Sequence, residues 1–587
     1  MTVSGSAVLK DGPCASRESS ARQRAMLRFD LGGYSRAVTT CSREAQRWFD
    51  LGLNWCFGFN HEEGVRCFET ALTHDPDCVM AHWGIAYGLG PFYNFVWRDF
   101  GAQEASIATR RAHAHLAKAR SLNDRASGVE NSLVETLAAR FQEPNPVAPD
   151  VYDRWDDDYA AAMRRLQQRF PDDRDVAALL VEALITRTPR RLWDLKTGQP
   201  APGSDAADAL ALCERAIAAA DAAGLPQHPA VVHLHIHILE MSSEPERAMQ
   251  SADALATLCP DAGHMNHMPA HIYVLCGDYE RAKQASDRAV AADDMYAAYD
   301  APLSFYVTAR CHDLHLLMFA CMFLGQYGPA LRAAEKMRGI ISADIVRAHN
   351  RPKLATTAEG YYGTKMHVLV RFGRWHDILE EPVPGDPEVY LTSTAMHHYA
   401  RGIARASLKD FAAADAERVL FQRSSARIPP GRRFLSNPVS AILGVAETML
   451  DGEIAYHKGH HREAYDHLRE SVRRDDSLGY TEPWAWMHPP RHALAALLLE
   501  QGHAAEAEQV YRDDLGLSGH VQRCTQHAEN VWALHGLAEC LARRGEQEEI
   551  LAIRKKLAVA LSKADVPITS SCLCRTQVVR SSSTWCV

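Results

Sequence analysis

What is missing narrows this chain first. No uninterrupted apolar run approaches the roughly 20 residues that a membrane helix needs, and the opening MTVSGSAVLKDGPCASRESSARQRAM lacks the apolar core of a secretion signal. A basic surplus is missing too. The net charge is −9, which gives no footprint for nucleic acid, so neither that partner nor a membrane is expected. There is no Walker loop, no G-x-G-x-x-G behind a strand, no HExxH and no G-x-S-x-G. Nucleotide-driven and serine-hydrolase chemistry are therefore disfavoured. The 15 cysteines are scattered singly rather than framed as a disulfide scaffold, and without an export signal they read as reduced thiols in the cytoplasm. No stretch alternates apolar and polar residues in the manner of a strand.

What is present is helical and repetitive. The 587 residues are several times a usual domain, with 47% hydrophobic and 23% charged composition, so the chain is multidomain or a repeat array. Residues 1–40 show no periodicity and are expected to be a flexible tail. From Trp48 the pattern changes: Trp48, Leu51, Gly52 and Trp55 fit W-x2-L-G-x2-Y, and Gly64, Phe68, Ala71 and Pro76 follow within a 34-residue period. Small residues in the first helix let the second approach closely. Further turns into alanine-rich helices recur at Gly277-Asp278-Tyr279, Gly325-Gln326-Tyr327, Gly373-Arg374-Trp375, Lys409-Asp410-Phe411, Gly459-His460-His461, Gly502-His503 and Gly545. Residues 143–150 and 196–204 are rich in proline and glycine and read as loops.

By these residues the chain resembles the tetratricopeptide-repeat proteins over about residues 45–560. The resemblance implies an all-α solenoid of antiparallel helical hairpins, roughly eight to twelve of them. The expected organisation is a repeat body over 41–565, a histidine-rich centre at about 229–320, and a tail over 566–587 carrying the C-x-C of Cys572 and Cys574.

That centre holds HLHIHILE (His233–Glu240), HMNHMPAHIY (His264–Tyr273) and CHDLHLLMF (Cys311–Phe319). Histidines spaced i/i+3 and i/i+4 share one face of a helix. The turn signals, which contain none of these residues, place repeat starts at 229, 263 and 311. His233, His267 and His315 then take the fifth position, His237 and His271 the ninth, His264 and His312 the second, and Glu240 the twelfth. Glu182 takes a ninth position in an earlier frame. The tetratricopeptide resemblance implies that these positions face the concave groove. The same centre is similar to a group of long microbial repeat proteins with an H-x3-H…HMP-x-HIY motif, a likeness that supports the motif and names no reaction.

Imidazole with a carboxylate suits zinc, iron or copper. The expected ligands are His237, His267, His271, His312 or His315, and Glu240, with His233, His264 and Glu182 outside them as orienting groups. So many donors exceed one coordination sphere, so one or two ions are expected. The favoured reading is a metal-dependent oxidoreductase or hydrolase activating water or dioxygen on a small-molecule substrate. No catalytic residue is singled out. The alternative is a scaffold that binds a protein or peptide in its groove, although His and Glu stand where Lys, Arg and Asn would serve acidic peptides. A single histidine on a helix is more often a satisfied polar residue, and His235 reads as core. The C-x-C can bind a soft metal or oxidise, against the simpler reading of a solvated tail. Trp484, Trp486 and His488 in YTEPWAWMHPPRH suggest an ordered loop capping the groove, or plain aromatic packing.

Overall fold

A computed structural model describes residues 22–23, 25–300, 304–348 and 350–575. Helices follow one another along the whole of it, and the strands among the described residues are one short hairpin, Arg433–Phe434 with Asn437–Pro438. The expected turns all join antiparallel helices: Gly263–Leu275 to Tyr279–Tyr299, Phe305–Leu324 to Tyr327–Ile340, and Leu391–Ser407 to Phe411–Ala426 are examples. Gly277 and Gly325 take φ of +79° and +74° at two of these turns, where a side chain would strain the backbone. The fold is a tetratricopeptide-like all-α solenoid.

The first hairpin shows why its glycines are needed. Helices Arg43–Phe57 and Val79–Gly88 press on opposite faces of the Phe68 ring, which is fully buried. A Cβ added at Gly52 or at Gly84 would lie 2.7 Å from that ring. With glycine on both sides the ring has nowhere to retreat. Gly84→Ala is therefore expected to lower unfolding free energy by about 1–3 kcal/mol through overpacking, despite alanine's better helix propensity. Urea titration of the purified variant measures it, and a neutral result would mean that the three helices are looser than described.

Three expectations need correction. The stretch 1–40 is not loose where it is described: Met26, Phe29 and Leu31 join the core, and Arg36 reaches Asp173 at 2.8 Å and Asp175 at 2.7 Å. Likewise the carboxyl-terminal stretch stays packed as far as Cys574, while 576–587 lie outside the described residues. One helix, Phe305–Leu324, is long and apolar enough to cross a membrane, but 83% of its apolar window is buried by the rest of the chain. It serves as a central core helix.

The concave side is not an open groove either. The loop carrying Glu482 and Trp484 lies against the histidine helices, with Trp484 stacked on Phe319 at 5.0 Å. The short hairpin brings Phe434 against Tyr361 at 5.1 Å. Phe92 and Phe95 meet Phe305 at 5.6 and 5.3 Å. The chain fills its own interior, so the inward positions become buried positions.

Candidate metal centre

Three consecutive first helices present the histidines. Pro229–Leu239 starts on His228, whose ring accepts from the backbone N–H of Ala230 and Val231, with Pro229 at the first helical position. Gly263–Leu275 carries Pro269 inside it, a residue that cannot donate to the carbonyl four back. Phe305–Leu324 starts on Ser304 and stops at left-handed Gly325. Every residue of the first two helices is buried, which is costly for imidazoles unless each finds a partner.

The rings fall into two adjacent trios. His233, His237 and His264 each bring one ring nitrogen within 4.8 Å of the others, and so do His267, His271 and His312. Nitrogens bound to one tetrahedral ion at ~2.1 Å lie about 3.4 Å apart, so small ring rotations bring either trio to ligating geometry. The trios touch along a seam where the His264 and His267 rings stack with centres 5.9 Å apart. In the second trio His267 Nε2 and His271 Nε2 are 2.6 Å apart, so one donates a hydrogen bond to the other. An ion between them would replace that proton.

Glu240, expected as a ligand, stands with His237, His271 and Glu482 in a group whose donor atoms could hold an ion, and it also bridges two histidines. Its two oxygens accept from His237 Nδ1 at 3.0 Å and His271 Nδ1 at 2.5 Å, one histidine from each trio. This is how a carboxylate orients metal-binding histidines, fixing Nδ1–H and freeing Nε2. His237 Nε2 is indeed buried without a hydrogen-bond partner, as are His233 Nε2 and His264 Nε2. The Phe57 carbonyl anchors His233 Nδ1 at 2.8 Å in the same manner. His267 Nδ1 faces Asp313 at 3.3 Å. His233 and His264, expected as outer groups, thus stand with His237 in the first trio.

Two further expectations are displaced. His315 is fully buried, but its ring lies edge-on to Tyr361 at 5.2 Å and Phe434 at 6.1 Å and joins neither trio. Glu182 accepts from the Tyr87 hydroxyl at 2.6 Å and meets His233 only across a small cavity. The residues that sequence reasoning missed are Glu482, Asp313, Arg190 and Phe59. Glu482 joins His237, Glu240 and His271 in one group with donor atoms within 4.8 Å, and Arg190 Nε lies 3.5 Å from it. Asp313 stands beside His312 in the sequence, and that adjacency within the histidine-rich helix was the available signal. Phe59 stacks over His237 at 5.6 Å and His264 at 5.1 Å from a backbone φ of +60°. A bulky residue in that region is strained. At the matching turns glycine takes this conformation at 277, 325, 373 and 459, and Lys409 takes it at φ +64°, so Phe59 is one of two non-glycine residues there.

Burial sets the protonation states. Desolvation and neighbouring imidazoles hold His237, His264, His267 and His271 well below the ordinary histidine range. Burial alone takes His233 to about 4, and burial with the Arg190 charge takes His312 to about 3. All are neutral, the form that binds metal. Burial and the Glu482 charge push the Glu240 carboxyl well above its ordinary range, and burial raises Glu482 against the pull of Arg190. Two carboxyls so close keep a proton between them, and nearby positive charge would release it. The neutral rings, the free Nε2 atoms and the anchored Nδ1 atoms fit one or two transition-metal ions.

No family model and no curated protein sequence matches the chain. Among solved structures it is similar to human IFIT1 bound to m7Gppp-AAAA, at 10% identity and a TM-score of 0.30, over 94% of this chain and 96% of that one. It is also similar to yeast Tom70, at 12% identity and a TM-score of 0.24, over 88% and 93% of the two chains. At such scores neither likeness carries an inference about ligand or partner.

Proposed function

We propose that the two histidine trios each hold one transition-metal ion, iron, copper or zinc, and that the protein is a metal-dependent enzyme activating water or dioxygen. The observation that carries this reading is Glu240, which anchors Nδ1 of one histidine from each trio and so aims their Nε2 atoms into neighbouring sites. A structural salt bridge would not need several buried imidazoles with unpartnered nitrogens beside it. When bound, the ions supply Lewis acidity and, for iron or copper, electron transfer to dioxygen. The chain's own part is to exclude bulk water and hold the rings neutral. A small cavity lined by Phe57, Phe59, Tyr87, Glu182 and His233 lies beside the first trio. The scaffold reading has less support, because a peptide on the surface cannot touch His233, His237 or His267, each with no exposed area. Placement in the cytoplasm rests on the free cysteines, eleven among the described residues.

Elemental mass spectrometry of the purified protein tests the reading. With Cys572 and Cys574 kept oxidised, the wild type is expected to carry about two equivalents, and about one should remain in each of His233→Ala/His237→Ala and His267→Ala/His271→Ala. Wild-type protein free of metal even after reconstitution with all three metals would end the proposal and turn attention to macromolecular partners. Oxygen-electrode traces with a reductant then separate dioxygen chemistry from water activation.

A further inference from the structure

The carboxyl-terminal C-x-C was expected to be solvated and is instead enclosed. Residues Ser570, Ser571, Cys572 and Cys574 are buried. The segment is held by the Arg371 guanidinium, which donates to the Ser571 carbonyl at 2.8 Å, by the Ser571 hydroxyl on the His492 carbonyl at 3.0 Å, and by Arg575 on Glu539 at 2.8 Å. Cys572 and Cys574 are joined as a disulfide with Cα atoms 5.3 Å apart.

Beside them, from helix Val439–His457, stands Glu453. It has no exposed area, and neither of its oxygens has a hydrogen-bond partner. A carboxylate oxygen of Glu453 and both sulfurs lie within 4.8 Å of one another. An isolated buried carboxyl is expensive, and a disulfide offers it no donor. The arrangement therefore asks what else the three groups do together.

A staple is a poor answer. The bridge spans one intervening residue, and the stabilisation from closing a loop shrinks as the loop shortens. An exchange pair serving a bulky dithiol partner is also poorly placed, since both sulfurs are enclosed. A cation fits all three groups. Two thiolates bound to one zinc ion at ~2.3 Å sit about 3.8 Å apart, a span that cysteines with Cα atoms at this separation reach by rotating their side chains. Glu453 then supplies the third donor and loses its isolation. Copper(I) prefers sulfur alone, whereas zinc(II) accepts sulfur with carboxylate oxygen.

We propose that Cys572, Cys574 and Glu453 form a second metal site, separate from the histidine trios, that takes zinc(II) when the disulfide is reduced. The balance is explicit. A small-molecule dithiol, compact enough to reach enclosed sulfurs that a protein dithiol cannot, donates two electrons and two protons: the Cys572–Cys574 sulfur–sulfur bond breaks, two thiols form, and the reductant closes its own disulfide. Zinc(II) then displaces the thiol protons to solvent and binds both thiolates and the Glu453 carboxylate. These ligands leave one tetrahedral position open. In the oxidised state the sulfurs cannot bind, so zinc occupancy reports the redox state of the pair.

Cobalt(II) provides a test that the histidine trios cannot imitate, because only thiolate ligation gives intense near-ultraviolet charge-transfer absorption. Full-length protein is stripped with a chelator, reduced with a phosphine, desalted and titrated with cobalt(II), then with zinc(II). The expected result is a charge-transfer band that saturates by about three equivalents, once the trios and this site are filled, is absent before reduction and is bleached by zinc. Cys572→Ser/Cys574→Ser should lack the band, and Glu453→Gln should bind zinc about ten times more weakly. Reduced wild type without the band, or the double-serine variant retaining it, would overturn the proposal. Equal zinc affinity in Glu453→Gln would remove the carboxylate from the site. Should a variant fail to fold by circular dichroism, the oxidised and reduced wild type still decide. Loss of histidine-bound metal leaves this band untouched, so the two proposals fail separately.

Discussion

Glu240→Gln should weaken metal binding at both histidine trios at once, by about 10- to 100-fold at each. Few single substitutions reach two sites together. This one does because the carboxylate accepts from His237 Nδ1 with one oxygen and from His271 Nδ1 with the other. Glutamine keeps the volume but has one acceptor oxygen and presents an N–H₂ to the second ring. That ring must then flip its tautomer or turn away, and its Nε2 ceases to be a free lone pair. The measurement is competition with a chelator of known affinity for each metal in turn, beside circular dichroism to confirm the fold. A loss confined to one trio would mean that Glu240 serves that trio alone. Unchanged affinity at both would remove it from the metal centre.

A second large effect is acid lability of the metal-free chain. His61, His367, His397, His488 and His492 are buried away from the trios. Burial takes His61 and His367 to about 3 and His397 and His492 to about 4, and holds His488 well below the ordinary range. Their unfolded value is ~6.5. Each is neutral when folded and takes a proton when unfolded, so the unfolded state binds more protons below pH ~6.5. Stability therefore falls as pH drops from there toward the folded values, by about 1.4 kcal/mol per pH unit for each group. Five groups give about 7 kcal/mol per unit, comparable with the whole stability of an ordinary domain. Asp514 behaves differently: the His492 and His527 contacts hold its carboxyl far below the usual range, so its contribution persists until well under pH 4. The apo protein should lose its tryptophan signal and helicity between pH 6 and 5. A chain still folded at pH 4 would show that these histidines have access to solvent.

The parts legible in sequence were those written locally. Each turn glycine and each small residue facing Phe68 acts within one hairpin, and the 34-residue frame carried His233, His237, His264, His267, His271 and His312 to one region. His315 shares the frame of His312 but lies three residues on, where the third helix turns it toward Tyr361 and Phe434. Spacing placed Glu240 on the inward face, but it reports which face a side chain occupies and not that this one bridges His237 and His271. Glu482 lies more than two hundred residues along the chain from Glu240, and no local pattern announces that its loop returns to the centre. The same holds for Glu453 and the C-x-C.

The filled interior has a mechanical consequence. In an open repeat array each unit touches only its neighbours, so the array can stretch, bend or fold from one end. Here the Phe57 carbonyl holds His233, Trp532 donates to the Met322 carbonyl at 2.8 Å, and Arg371 holds Ser571. Each tie joins segments many repeats apart. The molecule is thus a coil knotted to itself by side chains rather than a spring: cutting off terminal repeats strips partners from the middle. Folding waits for distant segments to meet, which slows it.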